Sequence, residues 1–170
     1  MTTCQAEYKW TADQLVDATW SHAKNSSYRT YQYIFLSAGI LSGLAGLAFW
    51  YTELKNLSFP LILLSIYTIF LRKPIQTWQI RRQFKNRKDQ GNTIAFEFKE
   101  DEVRIQSTGS QGAIPWKQYQ AATQGTKGVV LYQDTNQYHW VPASAFNNSS
   151  DYNAFLELAK SKIPNFKLGR

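Results

Sequence analysis

The residues best equipped for chemistry in this chain are two histidines, His22 and His139, and a single cysteine, Cys4. A histidine titrates near neutral pH and can act as a general base or a metal ligand, and a thiolate is a nucleophile. The spacing supports neither use. His139 sits beside Trp140 in an alternating apolar stretch, where a structural role is expected, and His22 is far away in sequence. No G-x-S-x-G, H-E-x-x-H, Walker A or G-x-G-x-x-G pattern occurs. The acids of "EDE", residues 100 to 102, fall between two alternating stretches and read as a solvated hairpin tip. Histidines and a cysteine so separated make no zinc site. We therefore expect no enzyme, no catalytic residue, no metal and no cofactor. A lone cysteine also allows no internal disulfide, which fits a reducing compartment.

Charge is the stronger signal. The chain of 170 residues carries a net charge of +7, which points to an anionic partner. The stretch "RKPIQTWQIRRQFKNRK", residues 72 to 88, holds seven Lys or Arg and no acid. It reads as a nucleic-acid patch, a solvated helix face or the cytoplasmic edge of a membrane segment. No RNP, zinc-finger or helix-turn-helix pattern accompanies it, so nucleic acid is not an expected partner. The apolar run "FPLILLSIYTIFL" immediately before it favours the membrane edge. Basic side chains near an anionic leaflet contribute about 1 kcal/mol each. Arg72, Lys73, Arg81, Arg82 and Lys85 are the residues expected to contact anionic lipid.

The elements that would position this charge follow from the apolar pattern. Residues 33 to 51, "YIFLSAGILSGLAGLAFWY", lack charge, Asn, Gln and Pro. A helix of that length reaches roughly 28 Å, close to the hydrocarbon thickness of a bilayer. Tyr31 and Tyr33 at one end and Trp50 and Tyr51 at the other stand like an aromatic belt. After the connector "TELKNLS", a second apolar segment runs over 57 to 72, with Ser58 as its expected cap, Pro60 in its first turn and Pro74 kinking its exit. Basic residues flank the pair on one side, among them Lys24 and Arg29 before the first segment. This predicts both termini in the cytoplasm. Gly39, Gly43 and Gly46 offer a small-residue face for close helix packing. That face would meet either the second segment of the same hairpin or another chain. The N-terminus has no basic region leading into an apolar run, so no cleavable leader is expected. Residues 8 to 31 read as polar and partly helical, with Thr11 as a cap and a break at "NSS", 25 to 27.

The texture changes after "QGN", 90 to 92. "TIAFEFKE" and "DEVRIQST" alternate with the period of half-buried strands, and "SQGAIPW" is a third, weaker one. "WKQYQAATQ" reads as short helical or irregular. "GVVLYQD" and "QYHWVPASAF" read as a hairpin with "TN" at its turn. "SSDYNAFLELAKSKI" is an amphipathic helix capped by Ser149 or Ser150 and ended by Pro164. Trp116, Tyr119, Tyr138 and Trp140 either line a groove or fill the core of a small β domain, and core packing is expected for Trp116.

The stretch from Val103 to Ile163 resembles the C-terminal domain of the YcxB-like family of bacterial membrane proteins. The resemblance rests on Trp116 after a strand, the strand "VVLYQ", "VPASAF" with Pro142 and Phe146, and a closing helix with Phe155 and Leu156. The two apolar segments stand where that family carries a transmembrane hairpin, so the likeness extends over roughly residues 30 to 163. Lys117 and Ala143 stand where family members often carry an acid and a base. The resemblance implies a small PH-like domain on the cytoplasmic side and brings no established reaction.

The expected fold is thus an α+β membrane protein. Residues 1–31 form a cytoplasmic segment, 32–72 a transmembrane hairpin, 73–91 a basic juxtamembrane helix, and 92–167 an antiparallel PH-like domain closed by a helix. The expected function is a non-enzymatic binding or scaffolding module at a bacterial cytoplasmic membrane. Its partners would be lipid and either a protein or a second copy met through the membrane helices. The alternative is a small subunit of a larger membrane complex.

Overall fold

A computed structural model describes residues 4–25, 28–135 and 137–169. Ser26 and Ser27 of the expected break, and Asn136 of the expected "TN" turn, lie outside the described residues. The chain divides into two compact units: residues 1–25 with 84–170, and residues 26–83.

The first unit is α+β. Strand β1, Cys4–Lys9, is followed by helix α1, Ala12–Asn25. Thr11 starts the helix as expected, its Oγ1 accepting from the amide of Gln14. After the second unit come β2 (Thr93–Phe98), β3 (Glu102–Ser107) and β4 (Ser110–Pro115). These three strands and β1 make an antiparallel sheet in the order β1-β2-β3-β4, with Cys4 opposite Phe98 and Phe98 opposite Val103. Gly109, at φ +85°, turns β3 into β4 in a conformation that other residues rarely adopt.

The second sheet runs β7-β6-β5-β8, from β5 (Ala121–Gln124), β6 (Gly128–Tyr132), β7 (Tyr138–Pro142) and β8 (Asn165–Leu168). Its strands pair antiparallel except β8, which runs parallel to β5 after the intervening helix α5, Ser149–Lys162. The inner faces of both sheets and of α5 share one apolar core. Phe98 lies at its centre, 4.3 Å from the ring of Phe155 and 6.1 Å from those of Trp116 and Phe146. The buried Tyr8 hydroxyl of β1 donates to the carbonyl of Trp140 in β7, which ties the sheets together.

Three boundaries differ from the sequence expectation. Residues 4–9 are a strand that closes the first sheet, where the sequence reading of a polar, partly helical segment placed none. The cap of α5 is Asn148, whose side chain accepts from the amide of Asp151; Ser149 and Ser150 are already in the helix. The passage after Trp116 is a single 3-10 turn, Trp116–Gln118, followed by β5.

The second unit is a helical hairpin. Helix α2, Tyr28–Phe49, packs along α3, Lys55–Ile66. The second limb does not stop at the end of the apolar run. A π-helical turn, Tyr67–Leu71, carries α3 into α4, Arg72–Phe84, making one continuous helix over Lys55–Phe84. Pro74 lies inside this helix. A proline lacks the amide for an i−4 bond and its ring crowds the carbonyl of residue i−4. Here that residue is Phe70, within the π turn, where the wider ladder makes room. Ser58 is not the cap: the helix starts after Leu54, and Ser58, its fourth residue, is wholly buried with an unpartnered hydroxyl. Pro60 accordingly falls beyond the first turn.

Candidate functional site

The basic stretch is held on α4 and the turns that follow it. Arg72 opens α4 with its guanidinium 3.9 Å from the ring centroid of Phe35 on α2. A cation over an aromatic face is attracted by the ring quadrupole, so this contact fixes a charge at the junction of the apolar and polar parts of the hairpin. Arg82 lies 5.3 Å from the Trp78 ring, and Trp78 is 57% exposed. Lys73, Arg81 and Arg82 are exposed along α4. Lys85 falls past the helix end at Phe84 and belongs to the other unit. The expected helix over 73–91 is therefore shorter, and its last basic residues sit in turns. Arg87 there holds Asp89 in a two-pronged ion pair of 2.7 and 2.8 Å, which lowers the Asp89 carboxyl below its ordinary range.

The apolar limbs above this charge are hardly covered. Thr30–Phe49 and Lys55–Phe84 are each long and apolar enough to cross a bilayer by length and composition. Within their most apolar windows only 11% and 6% of residues are buried. Leu41, Leu44, Leu47, Phe59 and Phe70 are each at least 60% exposed.

Gly39, Gly43 and Gly46 all face the second limb. A Cβ on Gly39 would collide with Thr68 Oγ1, one on Gly43 would lie 2.7 Å from Ser65 Oγ, and one on Gly46 would lie 2.9 Å from Ile62 Cγ1. The small-residue stripe is thus filled by α3 and the π turn of the same hairpin. An outside partner would have to meet another face.

Trp116, Pro142, Phe146 and Phe155 are brought together as core, all buried. Trp116 donates its indole N–H to the Lys99 carbonyl at 2.7 Å. Trp140 donates to Gln14 Oε1 of α1 at 2.8 Å, and Tyr119 is buried as well, so neither lines an open groove. Tyr138 is half-buried and stacks on His22 with ring centroids 4.8 Å apart.

The histidines are each held by tyrosine. The Tyr119 hydroxyl and His139 Nδ1 share a hydrogen bond of 3.1 Å, and the Tyr132 hydroxyl lies 3.2 Å from His22 Nδ1. Burial lowers both imidazole pKa values and raises that of Tyr119. Burial thus disfavours the charged imidazole at both sites, and each ring packs against a tyrosine. Cys4 is buried in β1, and burial raises its thiol pKa, which leaves it a poor nucleophile. Among the described residues no three His, Cys, Asp or Glu side chains are placed to hold a metal ion.

Two concavities among the described residues lie on the α+β unit away from these pairs. One of about 310 Å³ lies over the outward face of β1, β2 and β3, where the small Ala95 is ringed by Gln5, Glu7, Glu97, Arg104 and Gln106. The other, about 500 Å³ and wide open, lies between Trp116 and the acidic turn. Of its lining charges, Glu102 pairs with Arg104 at 2.6 Å and Lys162 with Glu100 at 3.5 Å.

This unit defines a class: a two-sheet α+β domain closed by a helix, with a helical hairpin entering the chain between α1 and β2. Residues 98–159 match the family model described as YcxB-like protein. The match runs from the end of β2 into α5 and takes in Trp116, Pro142, Phe146 and Phe155. The hairpin, the basic stretch, β1 and β8 lie outside it, so it is narrower than the likeness read from the sequence. No curated protein and no solved structure matches the chain.

Proposed function

We propose that this chain is a non-enzymatic, membrane-tethered binding or scaffolding module. The hairpin spans the cytoplasmic membrane of a bacterium, and the α+β unit works as a PH-like domain at its inner surface. The observation that carries the reading is the uncovered apolar surface of both limbs. A core helix hides its Leu, Ile and Phe side chains, whereas here more than a dozen of them stand exposed between Ile34 and Leu71. Contiguous apolar surface on that scale marks a membrane or an extensive interface. The abrupt change at Arg72 from apolar to basic supports a boundary at the head groups, with both termini cytoplasmic. The PH-like assignment draws on an antiparallel sheet and a second, mostly antiparallel sheet sharing a core with the C-terminal helix α5. Arg72, Lys73, Arg81, Arg82 and Lys85 then contact anionic lipid.

The test is hydrogen exchange on the full chain in vesicles of zwitterionic lipid, with and without an anionic lipid. We expect slower exchange over residues 72–88 when the anionic lipid is present, and loss of that difference when the five basic residues are changed to Gln. Identical exchange in both vesicles would rule out the lipid contact.

A further inference from the structure

The contacts between the two limbs of the hairpin fix which residues stand at the same height. Gly46 lies against Ile62, Gly43 against Ser65, Gly39 against Thr68 and Ile69, and the Phe35 ring under Arg72. The partners advance residue for residue in opposite directions. Carried on at that step, Tyr33 stands level with the residues about Ile75. Trp78 stands level with those about Thr30, where the apolar span of the first limb begins.

This height decides what Trp78 meets. The apolar stretch from Tyr33 to Tyr51 measures about 27 Å along a helix, close to the thickness of the hydrocarbon layer. Trp78 lies beyond the level of Tyr33 by about 4.5 Å. The head-group layer is roughly 5–7 Å deep on each face, so Trp78 falls inside it. An indole at that depth keeps its apolar body toward the acyl chains and its N–H in the wet layer. Trp78 is 57% exposed, and the guanidinium of Arg82 lies 5.3 Å from its ring centroid. The Arg82 backbone stands one helical turn farther out, about 6 Å, and the contact with the ring brings its charge back toward the same layer. A guanidinium stacked on a ring keeps its in-plane N–H donors, which suit two oxygens of a phosphate. Residues 72–88 hold no acid, and Asp89 beyond them is held by Arg87. The helix α4 therefore supplies no carboxylate to stand in for that phosphate.

We infer that Trp78 and Arg82 form a phospholipid head-group site, with the indole seated in the head-group layer and the guanidinium on the lipid phosphate. The inference rests on the proposed membrane hairpin and adds an anchor of different chemistry. Every phospholipid carries the phosphate, so this site is filled without anionic lipid, unlike the attraction of the basic stretch as a whole.

The experiment is spin labelling of the full chain in phosphatidylcholine vesicles. It compares collision of the label with oxygen, which concentrates in the hydrocarbon, and with a water-soluble nickel chelate. Labels on Leu44→Cys and Gln79→Cys report the limb and the site, and native Cys4 is buried. We expect oxygen to dominate at Leu44→Cys and the two colliders to balance at Gln79→Cys, with no change when anionic lipid is added. Trp78→Ala and, separately, Arg82→Gln should each shift Gln79→Cys toward the chelate. Chelate dominance at Gln79→Cys with Trp78 and Arg82 intact, or a balance that neither variant moves, would overturn the site while leaving the hairpin in the membrane. Chelate dominance at Leu44→Cys as well would overturn the hairpin reading and the site with it.

Discussion

His22 and His139 are the residues whose ionisation falls nearest neutral pH, and both are held neutral by burial against tyrosine. Their folded pKa values lie below the ordinary value, so the unfolded chain takes up protons first as the pH drops. Their contribution to stability is complete above about pH 6.5, the unfolded value, and is lost as pH falls through the lower folded values. We expect denaturant midpoints of the full chain to fall between about pH 7.5 and about pH 5.5, and the slope to flatten when both residues are changed to Gln. A slope unchanged in the double variant would place the titration elsewhere. Asp89, held down by Arg87, acts in a different window, because its contribution is complete above the ordinary carboxylate value and is lost only as pH falls below it through the lower folded value. Cys4 shows how far residue type alone misleads. The one thiol in the sequence is a wall of the core, and alternation Cys4-Ala6-Tyr8 inward with Gln5-Glu7-Lys9 outward is a better guide to it than its chemistry.

At the scale of elements, the hairpin is where small residues decide the geometry. Gly39→Leu would drive a side chain into Thr68 and Ile69, and overpacking of this kind costs about 1–3 kcal/mol. We expect it to lower the unfolding temperature of the chain in detergent, whereas Leu44→Ala on the 60% exposed outer face leaves it nearly unchanged. Equal effects would mean that the limbs do not pack through the glycines. Gly43→Leu acts the same way, so loss of a co-purifying protein in that variant reports hairpin packing and does not identify a docking face. The strands β2, β3, β6 and β7 and helix α5 were legible because each has its own period: Phe96 and Phe98 alternate with Ala95 and Glu97, and Phe155, Leu156 and Ala159 share a helix face. Strands β1, β5 and β8 were not. "AATQ" and "NFKL" are short and weakly apolar, and each becomes a strand through its neighbours, β5 lying between β6 and β8. Strand β1 owes its place to β2, which lies beyond the whole hairpin in sequence. Such non-local pairing leaves no local signal. The basic residues of the candidate site were legible from charge alone, while the Phe35 ring beneath Arg72 required the fold.

At the scale of the molecule, the chain reads as one folded unit interrupted by one apolar hairpin. Residues 4–25 belong to the unit that residues 84–169 complete, so the hairpin leaves and returns to the same domain. The central claim is that the hairpin crosses a membrane with the α+β unit on the inner side. The most direct measurement is labelling of introduced cysteines by a membrane-impermeant thiol reagent in intact and permeabilised cells. Native Cys4 is buried and contributes little background. Glu53→Cys lies in the exposed connector between the limbs, and Gln106→Cys lies on the exposed outer face of β3. We expect membrane-bound protein in which Glu53→Cys is labelled in intact cells and Gln106→Cys only after permeabilisation. Labelling of Gln106→Cys in intact cells, or recovery of the chain in the soluble fraction, would contradict it.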